Sequence, residues 1–140
     1  MDNWQKILLD LSKKDKVVFS TSFSLEDQII TDFIANNKLD IEIFTIDTGR
    51  LFNETYDIWQ QTLSLYQIDI KTYYPNRFDL EGFVEINGIN AFYDSIYLRQ
   101  ECCNIRKIEP LKRAIRDKSF WISGIRKEHS RDRYQKNISE

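Results

Sequence analysis

The chain has 140 residues, 41% hydrophobic and 14% aromatic, which is enough bulky apolar side chain to bury a sizeable core. Its 4 glycines and 2 prolines exclude a Gly/Pro-rich linker, its 2 cysteines exclude a disulfide scaffold, and no apolar run is as long as a membrane span. The net charge of −2 divides into −8 over residues 1–98 (8 basic, 16 acidic) and +6 over residues 99–140 (12 basic, 6 acidic). A basic C-terminal third can bind nucleic acid, hold a compact anion such as a phosphate ester, or form a solvated face.

Apolar periodicity predicts helices alternating with short strands. The predicted helices cover residues 4–12, 25–36, 53–65 and 111–116, with Asn53 as a cap and Pro110 at the start of the last, and the predicted strands cover residues 17–20, 41–46, 68–74 and 120–123. Residues 76–98 favour short helices, and the polar residues 130–140 are expected to fray. The alternation is typical of an α/β fold, an open and mainly parallel sheet with helices on both faces. Because ligands bind beyond the carboxyl ends of such strands, the segments after residues 20, 46 and 123 are the first places to look for chemistry.

The segment after the first predicted strand, residues 20–27, reads STSFSLED. Its hydroxyls, together with backbone N–H groups at the start of a helix, predict an anion site. The glycines of a Walker loop are missing, so that motif is excluded. An equally good interpretation is a helix cap, because Ser24 followed by Asp27 resembles a capping box.

Two further segments follow strands. In Asp47–Arg50 (DTGR), Gly49 permits a sharp turn or a close approach to a ligand, and Arg50 can present its guanidinium to an oxyanion or pair with Asp47. Residues 123–133 place four cations directly after the last strand. This concentration of charge favours a phosphate or sulfate site over a solvated turn.

Cys102 and Cys103 are adjacent, and three interpretations are open: one buried beside one exposed thiol, a vicinal disulfide, or thiolate ligands of iron. On a helix, neighbouring side chains diverge by roughly a quarter turn, so both sulfurs could face one cluster. On a strand they would point to opposite faces. A cubane cluster needs about four thiolates, whereas the sequence has two, and the nearby Arg106 and Lys107 would offset its negative charge.

Taken together, four segments resemble the assimilatory adenylyl-sulfate and phosphoadenylyl-sulfate reductases. They are SFSLED (22–27), FTIDTGRLFNET (44–55), CCNIRKIEPLKRA (102–114) and WISGIRKEHSRDR (121–133). Each alone is a weak signal, but all four occur in the family's order, within residues 17–133. The resemblance, to the iron–sulfur branch with adjacent cysteines, implies an adenine-nucleotide α-hydrolase-like fold with a modified pyrophosphatase loop (PP-loop).

The resemblance also implies an activity: thioredoxin-dependent reduction of adenylyl sulfate (APS) to sulfite and AMP, in sulfate assimilation and cysteine biosynthesis. A cysteine thiolate attacks the sulfur and forms an S-sulfocysteine enzyme, from which thioredoxin then releases sulfite. The chain would supply the nucleotide-binding part. The alternatives are a phosphoadenylyl-sulfate (PAPS) reductase and a non-catalytic nucleotide- or RNA-binding module left by truncation.

The family's site residues carry over to matching positions. The nucleotide and phosphosulfate contacts would be Ser20, Thr21, Ser22, Phe23, Asp47, Thr48, Gly49, Arg50, Gly124, Arg126 and Arg133. Cys102 and Cys103 would be two ligands of a [4Fe–4S] cluster, and Lys107 would lie between the cluster and the substrate. Fixed cations suit the chemistry, because negative charge moves toward the nucleotide phosphate in the transition state.

Two features depart from the family. Its later half, with a Cys-x-x-Cys pair and the nucleophilic cysteine, has no counterpart here, so residues 1–140 are expected to form a single nucleotide-binding domain that is inactive alone, as in an N-terminal fragment. His129 stands where Gln is usual, and both side chains can donate a hydrogen bond. The expected partners are APS or AMP and thioredoxin, with no nucleic acid or membrane, in the cytoplasm; a homo-oligomer is left open.

Overall fold

The computed structural model describes residues 1–124, in which helices and strands alternate as the sequence predicts. In chain order they are α1 (Asn3–Leu11), β1 (Val17–Ser20), α2 (Leu25–Asn36), β2 (Glu42–Ile46), α3 (Asn53–Tyr66), β3 (Ile70–Tyr73), α4 (Arg77–Asn87), a 3₁₀ turn (Ala91–Tyr93), α5 (Ile96–Cys103), a π-helical segment (Asn104–Ile108), α6 (Glu109–Ile115) and β4 (Phe120–Ser123). No helix of this part of the chain is long and apolar enough to cross a membrane.

The four strands form one sheet in the order β3-β2-β1-β4. Strand β1 pairs in parallel with both neighbours, so that Val18 lies opposite Glu42 on one side and Trp121 on the other. Its first three residues, 17–19, are all buried, as expected for a strand covered on both faces. The predicted α/β class and parallel sheet are confirmed. The strand order reverses between β1 and β4, which is where open parallel sheets form a ligand-binding crevice.

The chain divides into two compact units. Unit 1 comprises Met1–Thr45, Phe52–Lys71 and residues 117–124, and unit 2 comprises Ile46–Leu51 and Thr72–Arg116. The core of unit 1 contains Leu8, Val17, Phe19, Ile34, Ile41 and Ile43. The core of unit 2 contains Phe83, Ala91, Cys102 and Ile105. Each unit therefore has its own apolar cluster, while a single domain over residues 1–140 stays a prediction.

Some element boundaries differ from the prediction. The cap of α3 is Phe52 and not Asn53, which is already helical; Phe52 makes no side-chain cap hydrogen bond. Strand β3 is shorter than predicted, because α3 continues to Tyr66 and ends at Gln67 in the left-handed conformation, with φ of 53°. The last helix begins one residue before Pro110, at Glu109, so the predicted place of Pro110 at the start of this helix is confirmed. The helix follows the π-helical segment without a break.

Candidate functional site

In unit 1, the loop after β1 uses its hydroxyl groups to bind its own neighbours. Ser20 Oγ accepts a hydrogen bond from Trp121 Nε1 on β4 at 2.9 Å. Thr21 Oγ1 accepts from the Phe23 backbone N–H at 3.0 Å, and the Thr21 carbonyl accepts from Thr45 Oγ1 at 2.8 Å. These bonds tie the loop to both flanking strands, so its shape is set by contacts within the protein.

Ser22 lies at the centre of this loop and is bound by a carboxylate. Its backbone N–H and its Oγ–H both donate to Asp27 Oδ2, at 2.6 and 2.8 Å. Ser24 Oγ accepts from the Asp27 N–H at 3.2 Å, so the helix-cap interpretation is confirmed for Ser24. Burial raises the pKa of Asp27, and the hydrogen bonds from Ser22 and Ser24 offset part of that increase.

Phe23 adopts a conformation that bulky residues rarely occupy, with φ of +63°. Such a conformation costs on the order of 1–3 kcal/mol and persists only where its surroundings hold it. Here the ring is buried and stacks on Trp59 of α3, with centroids 5.4 Å apart, and Tyr56 stacks on Trp59 at 6.3 Å. Sequence reasoning identified Phe23 but missed Trp59, because helical periodicity does not show which loop an aromatic residue supports.

Gly124 follows β4 and faces the same carboxylate. A Cβ atom at this position would lie 1.8 Å from Asp27 Oδ1. Any residue other than glycine would therefore force the Asp27 carboxylate or the backbone to move. Within residues 1–124, Oδ1 itself is buried and has no hydrogen-bond partner. Arg126 and Arg133, the other predicted contacts of this segment, lie outside the described residues, as does His129.

In unit 2, the loop after β2 also closes on itself. Asp47 Oδ1 accepts from the Gly49 N–H at 2.8 Å, and Thr48 Oγ1 accepts from the Arg50 N–H at 3.1 Å. Gly49 has φ of +82°, so the sharp turn predicted from its presence is confirmed. Asp47 and Thr48 are both buried. The first three residues of this loop thus form a compact turn.

Arg50 reaches out of the turn to the connection between α4 and α5. Its Nη1 donates to the Ile89 carbonyl and its Nη2 to Asn90 Oδ1, each at 3.2 Å. The guanidinium carbon lies 4.6 Å from the centroid of the Phe92 ring, a cation–π contact. Its observed partners thus come from residues 89–92, a segment to which the sequence assigned no role.

Arg106 supports the turn at residues 47–50, a role that the sequence does not reveal. It is buried, with 6% of its surface exposed; its predicted role in balancing cluster charge stays a prediction. Its Nη1 donates to the Thr48 carbonyl at 2.7 Å and lies 3.1 Å from where a Cβ on Gly49 would be. Lys107, the next residue, is exposed. Sequence periodicity does not reveal which of these two adjacent cations is buried.

The two cysteines end α5 and differ in exposure. Cys102 is buried in the core of unit 2, Cys103 is exposed, and both thiols are free. The interpretation of one buried beside one exposed thiol is confirmed, and a vicinal disulfide is wrong. Lys107 lies four residues after Cys103, on the same side of the helical segment. Over residues 1–124, no group of three or more His, Cys, Asp or Glu side chains is placed to hold a metal.

An open groove of about 730 Å³ lies at the opposite end of the strands in unit 1. It is bordered by residues 41–43 and 68–71, near the amino ends of β2 and β3, and by the C-terminal ends of α2 and α3. Its lining includes none of the predicted site residues. The candidate loops of each unit instead follow the carboxyl ends of strands.

These features define a class of protein: an α/β nucleotide- or phosphate-binding fold with its polar loops at the carboxyl ends of a parallel sheet. The profile of the phosphoadenosine phosphosulfate reductase domain matches residues 16–140, so the chain belongs to that family. The resemblance found in the four sequence motifs is thereby confirmed.

Curated relatives lie in the same family. The chain is 44% identical over 128 residues to an adenosine 5′-phosphosulfate reductase of Rhizobium meliloti (strain 1021), which covers 91% of this chain and 48% of the relative. It is 48% identical over 118 residues to the adenosine 5′-phosphosulfate reductase of Sinorhizobium fredii (strain USDA 257). That alignment covers 84% of this chain and 47% of the relative. The chain thus spans about half the length of these relatives.

A solved structure confirms the fold. The crystal structure of phosphoadenylyl-sulfate (PAPS) reductase from Candida auris, in a phosphate complex, matches with a TM-score of 0.73 and 24% identity, over 86% of this chain and 60% of the other. Since the identity is low, this likeness establishes the shared fold alone.

Proposed function

We propose that this chain binds adenylyl sulfate and AMP as the nucleotide-binding part of an APS reductase, which uses thioredoxin to produce sulfite. One observation carries the proposal: a preshaped hydroxyl-rich loop follows β1 at the reversal point of the sheet, in a chain 44–48% identical to relatives named as adenosine 5′-phosphosulfate reductases. Parallel sheets bind nucleotides at such points.

The proposed nucleotide contacts come from three segments, each of which follows a strand: residues 20–23, residues 47–50, and the segment that contains Gly124, Arg126 and Arg133. The reaction breaks the bond between sulfur and the bridging oxygen, and the electron pair stays with the AMP phosphate. Arginines held against that phosphate would stabilise the developing charge. In this proposal the chain itself binds and orients the nucleotide.

Cys102 and Cys103 are the proposed ligands for half of a [4Fe–4S] cluster, with Lys107 beside it. The donor set fits only in part, because a cubane needs about four thiolates and the sequence has 2 cysteines. Cys102 is also committed to the core of unit 2. The nucleophilic cysteine has no candidate once both thiols are ligands, so we infer that the chain alone binds nucleotide without turnover.

Isothermal titration calorimetry with AMP tests the nucleotide site, with GMP as the ligand control. We expect AMP to bind and Arg133→Ala to weaken it by about 1.5–3 kcal/mol, since a hydrogen bond to a charged group is lost. Arg77→Ala is the matched control, because Arg77 lies on α4 with 80% of its side chain exposed.

Three results would change the assignment. A folded chain that binds no AMP contradicts the proposed nucleotide site. Binding of adenosine 3′,5′-bisphosphate at least as tightly as AMP would favour the phosphoadenylyl-sulfate alternative. Sulfite release by this chain with thioredoxin would show that Cys102 or Cys103 is the nucleophile and would contradict the cluster assignment.

A further inference from the structure

We propose that Asp27 is the positioning residue of the β1–α2 loop and that Ser22 acts only through it, so that Ser22 binds the Asp27 carboxylate and not the nucleotide. This inference rests on the proposed nucleotide site and revises the role of one of its predicted contacts. It follows from the hydrogen-bonding capacity of Ser22, from the burial of Asp27 and from the position of Gly124.

The donors of Ser22 are fully used. A serine has one backbone N–H and one hydroxyl proton, and both point to Asp27 Oδ2, at 2.6 and 2.8 Å. The Ser22 oxygen can then only accept a hydrogen bond. The phosphosulfate of APS and the ionised phosphate of AMP also offer mainly acceptors. Ser22 therefore has nothing to donate to the ligand while this contact exists.

Displacing the carboxylate would be costly. Asp27 has 4% of its surface exposed, and a buried carboxylate that loses its partners keeps the full cost of desolvation. An anion that took the place of Asp27 on Ser22 would also bring a second negative charge next to the first. Competition for Ser22 is thus unfavourable on both counts, and the internal contact should persist when nucleotide binds.

The surroundings hold Asp27 in this position. It is the third residue of α2, where the helix dipole favours a carboxylate, and its own N–H is held by the Ser24 cap at 3.2 Å. Gly124 packs directly against Oδ1, and a Cβ there would clash with the carboxylate as it stands. The carboxylate is therefore held at the crevice between β1 and β4. There it fixes the conformation of the loop that would contact the nucleotide.

A double-mutant cycle read by AMP calorimetry tests the inference. We expect Ser22→Ala to weaken AMP binding by less than about threefold, because the N–H contact to Asp27 remains, and Asp27→Ala to weaken it by about tenfold or more, because a charged partner is lost. In the Asp27→Ala background, Ser22→Ala should add nothing. Asp27→Asn, which keeps an acceptor oxygen, should recover most of the affinity.

The control is Asp32→Asn on the same helix, where the carboxylate is exposed and accepts from Tyr66 Oη at 2.8 Å. It should leave AMP affinity unchanged. If Ser22→Ala instead costs about tenfold both in the wild type and in the Asp27→Ala background, Ser22 donates to the nucleotide and the inference is wrong.

Thermal unfolding without ligand gives a second readout, which separates this inference from the nucleotide site. If Ser22 is bonded to Asp27, the melting-temperature shifts of Ser22→Ala and Asp27→Ala should be less than additive in the double variant, because either substitution removes the hydroxyl hydrogen bond. Additive shifts would overturn the inference, whether or not AMP binds. Coupled shifts in a chain that binds no AMP would retain the Asp27–Ser22 contact and reject the nucleotide site alone.

Discussion

The loops after β1 and β2 are each organised by one buried ion, but the two ions have opposite charge. In unit 1, the Asp27 carboxylate accepts from the donors of Ser22. In unit 2, the Arg106 guanidinium donates to the Thr48 carbonyl. A buried charge forms strong hydrogen bonds to neutral groups. Removing its partner leaves the charge buried without compensation, which destabilises the folded state. Both loops are therefore expected to keep one conformation, although neither resembles a glycine-rich phosphate loop.

The loops also differ in how they reach positive φ. The 47–50 turn uses Gly49, which has φ of +82° and no side chain to strain. The loop after β1 instead places Phe23 at +63° and holds it by stacking on Trp59. One loop is stable through intrinsic backbone freedom, whereas the other depends on a tertiary contact. Substitutions of Arg106, of Gly124 and of Asp27 test this comparison.

The largest effect should follow removal of the Arg106 charge. Arg106→Met keeps much of the buried volume but leaves the Thr48 carbonyl without its donor, so the free energy of unfolding should fall by about 2–3 kcal/mol. Urea unfolding followed by circular dichroism measures it. The neighbouring Lys107→Met is the control, because an exposed lysine should change stability by less than about 0.5 kcal/mol. Equal losses of unfolding free energy in the two variants would contradict the proposed role of Arg106 in stabilising the turn.

A smaller but clearer effect concerns packing against Asp27. Gly124→Ala places a methyl group against Oδ1 and should lower the free energy of unfolding by about 1–3 kcal/mol, as overpacking does. Gly82→Ala is the matched control: it lies within α4 with nothing within 4 Å of its added Cβ. That variant should raise stability by about 0.5–1 kcal/mol, the helix-propensity difference between the residues. We therefore expect the two Gly→Ala substitutions to change the free energy of unfolding in opposite directions.

The smallest effect is the pH dependence of Asp27→Asn. Since the folded-state pKa of Asp27 is raised above 3.8, the stability linked to its protonation is fully present below that value and is lost as pH rises through the folded pKa. Asparagine does not titrate, so the variant should gain stability relative to the wild type between pH 4 and pH 7. Melting temperatures at both values measure this. The opposite trend would mean that the hydrogen bonds from Ser22 outweigh burial in setting the Asp27 pKa.

Local patterns were sufficient to predict much of the framework. The bounds of β1, α2 and β4 agree with the prediction, because a short β-branched or aromatic run and a 3.6-residue periodicity with a serine cap are signals contained in neighbouring residues. The same reasoning placed the polar loops after residues 20 and 46. It gave less accurate ends for α3 and β3, since the left-handed residue that ends α3 is Gln67, a type that does not mark a helix end.

The sequence by itself determined the α/β class, the positions of the loops and the four motifs of the family, because each is written in contiguous residues. Only the tertiary structure decided what those residues do to one another. Asp27 could have completed a capping box, yet it binds Ser22; of two adjacent cations, Arg106 points inward and Lys107 outward. These contacts depend on which groups the fold brings together from distant parts of the chain and removes from water. A buried charge is stable only if it is hydrogen-bonded, so its partner is determined by the groups packed around it.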